Sequence, residues 1–204
     1  MIIGPKYKIC KRLGASVFEK CQTQKFQLAE ANKPRKQSRG KRGGGSDFGA
    51  QLLEKQKARF TYGLSESQFS RYVHEAMEKK GQTAVSGLLS RLEARLDNVV
   101  FRAGFVKTRR AARQLVSHGH VTVNGKRMNV PSYQVKMGEV VGIREGSRTS
   151  PLFINRIEAA AETKSPEWLK LGEGGFEATA VAVPGLVDTE APFNAPVIIQ
   201  FYSR

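Results

Sequence analysis

The arginines of the segment TRRAARQLVSHGHVTVNG, residues 108–125, are the side chains whose type and spacing most clearly indicate a chemical task. At about 100° per residue of helix, Arg109, Arg110, Arg113 and Gln114 fall on one face, while alanine, leucine and valine fill the other. A guanidinium donates two parallel hydrogen bonds to a phosphate, a geometry that a lysine ammonium does not offer. The pattern therefore indicates a helix face that binds an anion.

The alternative is an ordinary solvated helix face. Such faces usually mix signs, because opposite charges at i and i+4 stabilise a helix by about 0.2–0.5 kcal/mol and like charges, as in Arg109 and Arg113, destabilise it. No acidic residue occurs between Asp97 and Glu139, although basic residues recur in that interval. We therefore favour anion binding.

The charge of the whole chain points to a polyanionic partner. Its 204 residues carry a formal net charge of +16, with an isoelectric point near 10.2. Residues 1–42 have 12 basic and 2 acidic side chains, residues 43–145 have 17 and 9, and residues 146–204 have 5 and 7. Such an excess usually means a nucleic acid or, less often, an anionic membrane surface. We expect the partner to contact the first three quarters of the chain.

Irregularly folded RNA suits this pattern better than DNA does. The sequence has no recognisable major-groove module and no dimerising heptad repeat. Scattered arginines and lysines on a helix and a hairpin suit the reading of RNA shape and phosphate geometry.

Catalytic motifs are lacking. There is no phosphate-binding loop followed by Lys-Ser or Lys-Thr, no His-Glu-x-x-His and no nucleophile elbow. Gly43–Gly45 has no strand before it, which favours a linker over a phosphate-binding loop. Asp97 could be a catalytic acid, but a single carboxylate near Arg95 more often forms a structural ion pair. Trp168 could stack on a base, but its setting favours core packing. We predict that the chain is not an enzyme.

The cysteines and histidines do not indicate a metal. Cys10 and Cys21 are the only cysteines. A structural zinc site needs four ligands, usually with pairs two to four residues apart, and His74, His118 and His120 do not complete one. We expect no metal and no cofactor. With no secretory segment and no run of about 18 apolar residues, we also expect no membrane span, a cytoplasmic location and reduced thiols.

Helical patterns occupy the middle of the chain. Residues 46–63 place their apolar side chains on one side. Ser65 and Gln68 have the spacing of a capping box at the start of the next helix. A further apolar stripe spans residues 88–104, and the basic segment at 109–117 forms the last helix of the series.

Short strands follow. Asn124-Gly125 is the strongest hairpin signal, because both turn positions need a positive φ. Residues 132–135 and 139–145 continue as strands, and residues 152–162 form a helix after Pro151. Near the end, strands and loops that cover an existing core are predicted for EWLKL, FEATAVAV and PVIIQFYSR.

These elements predict an α+β chain with three parts. Residues 1–45 are a basic, partly extended N-terminal region whose order depends on the partner. Residues 46–92 form a helical subdomain, which the C-terminal segment 185–204 completes. Residues 93–184 form a small RNA-binding domain, in which a core at 95–145 packs two helices on a short twisted antiparallel sheet.

Several segments resemble one known family. RLDNVVFRAGFVKTRRAARQLVSHGHVTVNGKRMNVPSYQV, residues 95–135, closely resembles the RNA-binding domain of the bacterial small-subunit ribosomal protein four family. SDFGAQLLEKQKARFTYGLSESQF, residues 46–69, is similar to the helical segment that precedes that domain. GPKYKICKRLG near the start, SPEWL at 165–169 and VIIQFYSR at the end also resemble their counterparts, so the resemblance covers nearly the whole chain in order.

The resemblance implies a primary binder of small-subunit rRNA at a junction of the 5′ domain, where it helps to nucleate subunit assembly. It also implies contacts with neighbouring small-subunit proteins and a place near the channel by which mRNA enters, with effects on decoding accuracy. No homo-oligomer and no membrane contact are expected. Some family members bind zinc through four cysteines near the N-terminus, and the presence of only two here argues against a metal.

The resemblance and the charge pattern together predict rRNA contacts in three places, and no catalytic residue. The N-terminal contacts are Lys6, Lys8, Lys11, Arg12, Arg35, Lys36, Arg39, Lys41 and Arg42. The contacts of the helical part are Lys55, Lys57, Arg59 and Arg71. The contacts of the RNA-binding domain are Lys107, Arg109, Arg110, Arg113, Gln114, His118, Asn124, Lys126 and Arg127.

Two other protein classes carry a similar small domain. A pseudouridine synthase needs a further catalytic domain with an Asp nucleophile, but only 59 residues follow residue 145, with Asp188 as their sole Asp. A free-standing stress factor that recognises stalled large subunits would lack the helical segment EKQKARFTYG at 54–63. Both are weaker interpretations than a ribosomal protein.

Overall fold

The computed structural model describes residues 4–32, 46–79, 81–153, 165–172, 174–185 and 192–203. By its internal contacts the chain divides into two compact units: unit 1 is Met1–Val85 with Glu190–Arg204, and unit 2 is Ser86–Thr189. Helices and one antiparallel sheet confirm the α+β class. The predicted domain boundaries at residues 45, 92 and 184 stay a prediction. In the described part of the chain, no helix is both long and apolar enough to cross a membrane.

The helices are numbered along the chain. They are α1 (Lys6–Leu13), α2 (Glu19–Gln22), α3 (Gln24–Ala31), α4 (Asp47–Tyr62), α5 (Glu66–Glu78), α6 (Ala84–Glu93), α7 (Leu96–Arg102), α8 (Arg109–Ser117), α9 (Glu145–Arg148) and α10 (Ala195–Tyr202). Pro151–Phe153 adds one 3-10 turn. The rest of the helix predicted for 152–162 lies outside the described residues.

The described part of the N-terminal region, residues 4–32, contains three short helices. Residues 4–32 form α1, α2 and α3, where the sequence analysis expects a partly extended segment. Cys10 and Cys21 are buried and joined in a disulfide that links α1 to α2, which corrects the expectation of reduced thiols. Cys10 and Leu13 of α1 and Cys21 of α2 are the buried residues of these two helices, so a pattern with few apolar residues hid them.

The starts of α4 and α5 agree with the sequence. The Ser46 hydroxyl accepts a hydrogen bond from the Gly49 amide at 3.2 Å, and the Ser65 hydroxyl accepts one from the Gln68 amide at 3.4 Å. The second half of the expected capping box is replaced, because the Gln68 side chain donates to the Tyr72 hydroxyl. Side-chain capping therefore sets where these helices begin.

The C-terminal segment is a helix, and the prediction of a strand or loop for PVIIQFYSR was wrong. The Asn194 side chain accepts a hydrogen bond from the Val197 amide and caps α10. β-branched residues favour a strand locally, but α10 packs on α4 and α5 and buries Ile198, while the Phe201 ring lies 5.5 Å from that of Phe48. Tertiary packing overrides the local propensity here.

The apolar stripe at 88–104 is split between α6 and α7. Arg95 is extended and pairs with Gln134 in an isolated β-bridge, so residues 132–135 provide that bridge in place of the predicted strand. The Leu96 amide donates to the Tyr133 carbonyl at 2.8 Å, and the Val135 amide donates to the Ala94 carbonyl at 2.8 Å. These bonds to a distant segment break the helix, which no local pattern could predict.

Unit 2 contains a five-stranded antiparallel sheet in the order β2-β1-β3-β5-β4. The strands are β1 (Val121–Val123), β2 (Lys126–Met128), β3 (Val140–Ile143), β4 (Leu169–Leu171) and β5 (Glu177–Ala180). Positive φ angles of 49° at Asn124 and 78° at Gly125 confirm the predicted hairpin turn. The strands predicted in EWLKL and FEATAVAV are confirmed, but the one predicted for 139–145 ends at Ile143, where α9 follows.

The core of unit 2 lies between α7, α8 and this sheet. Val99 and Val100 of α7, Val116 of α8 and Val141 of β3 are fully buried in one cluster. Trp168 belongs to the same cluster, which confirms that it is a core residue. The sheet and α7 together form the platform that fixes the position of α8.

Candidate nucleic-acid interface

Helix α8 has the amphipathic form that the sequence predicts. The Thr108 hydroxyl accepts a hydrogen bond from the Ala111 amide at 2.9 Å and caps the helix. Ala112, Leu115 and Val116 are buried, so the basic residues occupy the opposite side. The buried face sets the rotation of α8 and thereby the direction of its arginines.

Arg113 is held by an acid that lies outside the basic interval. Its Nε donates to Oδ2 of Asp97 at 3.0 Å, and its Nη2 lies 2.9 Å from the same oxygen. Arg95, 1% exposed, donates from Nε to Oδ1 of Asp97 at 3.0 Å and from Nη2 to Oδ2 at 2.8 Å. The buried carboxylate of Asp97 thus joins two guanidinium groups, which confirms its interpretation as a structural ion pair.

Arg109 is held by a neighbouring polar network. Its Nε donates to Oδ1 of Asn98 at 2.8 Å, and its guanidinium lies 4.4 Å from the ring centroid of Phe101. The Asn98 amide donates to the buried Glu93 carboxylate at 2.8 Å, and Arg102 pairs with the same carboxylate. Asp97 therefore orients Arg113, and Asn98, itself bonded to Glu93, orients Arg109. The basic interval gives no sign of this arrangement, because Asp97 lies just before it.

The remaining predicted contacts of α8 are exposed. Arg110, Gln114 and His118 follow one another at intervals of four residues and lie along one edge of the helix. Arg127 of the hairpin donates from Nη2 to the His118 carbonyl at 3.3 Å, and its guanidinium lies so close to Gly119 that a Cβ there would collide with it. We call the exposed set the α8–hairpin surface; it consists of Lys107, Arg110, Gln114, His118, Lys126 and Arg127.

Asn124 has a structural task in the hairpin. Its Oδ1 accepts a hydrogen bond from the Val140 amide at 2.8 Å and so fixes the turn to β3. Its backbone is in the left-handed region, which asparagine tolerates better than most residues. A contact with rRNA stays a prediction for this residue.

In unit 1, the basic residues of α4 are occupied by acids. Lys55 is buried at 7% exposure, with Nζ 2.6 Å from Oε1 of Glu66 and 4.7 Å from the Phe201 ring centroid. Arg59 pairs with the other oxygen of Glu66 at 3.1 Å, and Lys57 pairs with Glu54 at 2.6 Å. Lys55 and Arg59 thereby join α4 to α5, whereas Lys57 pairs within α4, and contacts of all three with rRNA stay predictions.

Glu66 is the centre of this arrangement. The Tyr202 hydroxyl donates to its Oε1 at 2.9 Å, in addition to the bonds from Lys55 and Arg59. Burial raises the pKa of the Glu66 carboxyl, but the hydrogen bonds from Lys55 and Tyr202 and the nearby positive charges outweigh burial and hold the pKa below its usual range. Burial, and then the hydrogen bond to Glu66, raise the pKa of Tyr202.

The other predicted contacts of unit 1 are more open. Arg71 on α5 is exposed and lies 3.9 Å from Glu75. Lys8, Lys11 and Arg12 of α1 are exposed, and Lys6 lies 5.9 Å from the Phe18 ring centroid. The predicted contacts that lie outside the described residues are Arg35, Lys36, Arg39, Lys41 and Arg42. Over the described ranges, no three His, Cys, Asp or Glu side chains come together as a metal site would require.

Two family profiles match consecutive parts of this chain. The profile described as "Ribosomal protein S4/S9 N-terminal domain" matches residues 1–93, and the "S4 domain" profile matches residues 94–141.

Relatives named "Small ribosomal subunit protein uS4" are similar over nearly the full length. That of Roseiflexus castenholzii is 46% identical over 206 residues, which cover 99% of this chain and 98% of the relative. That of Chloroflexus aurantiacus is 44% identical over 210 residues, with the same two shares, and that of Acetivibrio thermocellus is 42% identical over 204 residues, or 98% of each chain. These findings confirm the resemblance seen in the sequence, and the chain belongs to the uS4 family of small ribosomal subunit proteins.

Proposed function

We propose that this chain is a structural, non-catalytic component of the small subunit of the cytoplasmic ribosome, where it binds rRNA directly. The observation that carries the proposal is the α8–hairpin surface, in which exposed hydrogen-bond donors lie on a frame joined by ion pairs and hydrogen bonds, within a domain of the S4 type. The net charge of +16 supports a polyanionic partner.

The frame explains how binding is achieved. Asp97 fixes Arg113 and Asn98 fixes Arg109. The bond from Arg127 to the His118 carbonyl fixes the hairpin to the end of α8. Within the α8–hairpin surface, Arg127 is thus held before binding, and a donor held in this way loses little conformational freedom when it meets a phosphate. Most of the affinity then comes from neutralising phosphates and releasing counterions, and the specificity comes from the shape of an RNA junction.

The finer proposal is that this chain binds a junction in the 5′ domain of small-subunit rRNA, binds there early and nucleates assembly. It includes contacts with neighbouring small-subunit proteins and with mRNA near the channel by which it enters, with an effect on decoding accuracy. The resemblance described above supports these roles. The α8–hairpin surface, Arg71 and the exposed cations of α1 are better candidates for rRNA contacts than the cations of α4, because the latter are already paired with acids.

A titration of the purified chain tests the proposal. A fragment of 5′-domain rRNA and an unrelated structured RNA of equal length are compared at several salt concentrations. We expect a preference for the rRNA fragment that persists at high salt, because junction shape is read independently of counterion release. Equal and equally salt-dependent binding to both RNAs would contradict the proposal.

A further inference from the structure

An aromatic pair made of exposed Tyr7 and half-buried Phe26 lies beside the basic residues of α1. The ring of Tyr7 on α1 stacks on that of Phe26 on α3, with centroids 5.2 Å apart and an interplanar angle of 28°. Although Phe26 covers one face of the ring, Tyr7 remains 47% exposed. The buried positions of α1 are Cys10 and Leu13; Tyr7 is not one of them, and its ring contact with Phe26 joins α1 to α3 on the surface.

The surroundings of the pair are cationic. Lys11 follows Tyr7 by one helical turn, and its Nζ lies 5.7 Å from the Phe26 ring centroid. Lys8 and Arg12 are exposed on the same helix, whose sequence KYKICKRL contains four basic residues and no acid. An aromatic face and several positive charges are therefore presented within two turns of one helix.

A nucleotide matches both properties at once. Unpaired bases of RNA loops and junctions stack on aromatic side chains, and their phosphates bind Lys and Arg. A peptide supplies an aromatic face or an acid from separate residues, and a second copy of α1 would bring four like charges against four. We propose that Tyr7 and Phe26 form a stacking platform for an unpaired base of the bound RNA, with Lys8, Lys11 and Arg12 on the flanking phosphates.

This inference rests on the proposed function, because the ligand is a base of the same RNA. It assigns a binding task to Tyr7 and Phe26, which no charge pattern selects. It also predicts how their contribution differs from that of the lysines. Stacking releases no counterions, so its loss lowers the affinity by the same factor at every salt concentration, whereas the loss of a phosphate contact also reduces the salt slope.

The first test compares Tyr7→Leu with the unaltered full chain on the 5′-domain rRNA fragment. We expect an affinity lower by about 5-fold to 100-fold with an unchanged salt slope. Tyr7→Phe keeps the ring and should recover most of that loss, and the control Met137→Ala removes a 69% exposed apolar side chain of unit 2 without effect. Affinity equal to that of the unaltered chain, or a loss accompanied by a reduced salt slope, would overturn the platform.

A second measurement guards against a local folding defect in Tyr7→Leu. Tyr7→Trp places a fluorescent ring at the platform, while the native Trp168 is buried in the core of unit 2 and supplies a constant background. We expect saturating rRNA fragment to quench the added emission, and unchanged emission would overturn the inference. If the unaltered chain shows no preference for the rRNA fragment, the proposed function fails; if it keeps that preference but Tyr7→Trp is not quenched, only the platform fails.

Discussion

Helices α8 and α4 carry similar basic residues but use them differently. On α8, Arg109 and Arg113 are held by Asn98 and Asp97 of α7, and a second row of donors remains exposed beside them. On α4, the predicted contacts are themselves occupied, because acids of α4 and α5 pair with them. The position of the acids therefore separates a binding surface from a structural ion-pair cluster.

This difference shows why basic spacing is an incomplete signal. The acids that pair with the cations of α4 are Glu54 of the same helix and Glu66 of the next helix, α5. Beside α8 the acid is Asp97 of the preceding helix α7, and among the arginines of α8 it pairs with Arg113. A basic helix indicates binding when more cations are present than the acids packed against it can reach.

The largest expected effect comes from removing the anchor beneath α8. Asp97→Ala takes away the carboxylate that faces the buried guanidinium of Arg95, and breaking such a buried pair costs about 3–5 kcal/mol. Denaturant unfolding followed by Trp168 fluorescence measures this loss in unit 2. Arg113→Ala is the matched control, because it leaves the ion pair between Asp97 and Arg95 in place. This variant should lose clearly less unfolding free energy than Asp97→Ala. Equal losses in the two variants would contradict the assigned role of Asp97.

The next effect concerns the cluster on α4. Glu66→Gln should lower the unfolding free energy of unit 1 by about 2 kcal/mol at neutral pH, less than for a fully buried pair because the Glu66 side chain is 43% exposed. Since the folded-state pKa of Glu66 is lowered, its contribution is present above the ordinary Glu pKa of about 4.3 and is lost as the pH falls through the lower folded-state pKa.

Hydrogen exchange at the amides of α4 and α5 measures this effect between pH 7 and pH 3. The difference between the unaltered chain and Glu66→Gln should shrink towards the acidic end of that range. A difference that does not change with pH would show that the Glu66 charge does not stabilise unit 1.

The smallest effect, a difference of about 1 kcal/mol between two variants of Asn124, separates turn geometry from binding. Asn124→Ala should cost roughly 2 kcal/mol, from the lost bond to the Val140 amide and from the left-handed backbone, whereas Asn124→Gly should lose only the bond, about 1 kcal/mol. Trp168 fluorescence again reports the unfolding of unit 2. If Asn124→Gly also weakens rRNA binding at equal stability of the fold, the predicted contact of Asn124 is supported; an unchanged affinity removes it.

The elements that were predictable are those with local signals. Serine and threonine caps mark the starts of α4, α5 and α8, and Asn124-Gly125 marks the hairpin. The break before α7 was not predictable because its cause is the pairing of Arg95 with Gln134, far along the chain. The helical state of α10 depends likewise on packing against α4 and α5, against the preference of its β-branched residues.

The candidate site was predictable in residue type but not in pairing. Charge and helical spacing selected the arginines of α8, and the structure shows which of them face solvent. The pairing of Lys55 with Glu66 joins two helices, so it depends on how α4 and α5 pack. Tyr7 and Phe26 carried no local signal, since their stacking depends on the fold of α1 and α3.

The most direct test of the account compares two variants with the same change of charge. Arg110→Gln with Arg127→Gln neutralises two cations of the α8–hairpin surface, and Lys57→Gln with Arg59→Gln neutralises two paired cations of α4. Affinity for the 5′-domain rRNA fragment is measured against salt concentration for both. We predict that the first variant binds at least about 10-fold more weakly with a salt slope reduced by about 1.4 to 1.8, at about 0.7–0.9 per lost phosphate contact, while the second stays within about 2-fold at an unchanged slope. Equal losses of affinity and slope in the two variants would contradict the assignment of binding to the α8–hairpin surface.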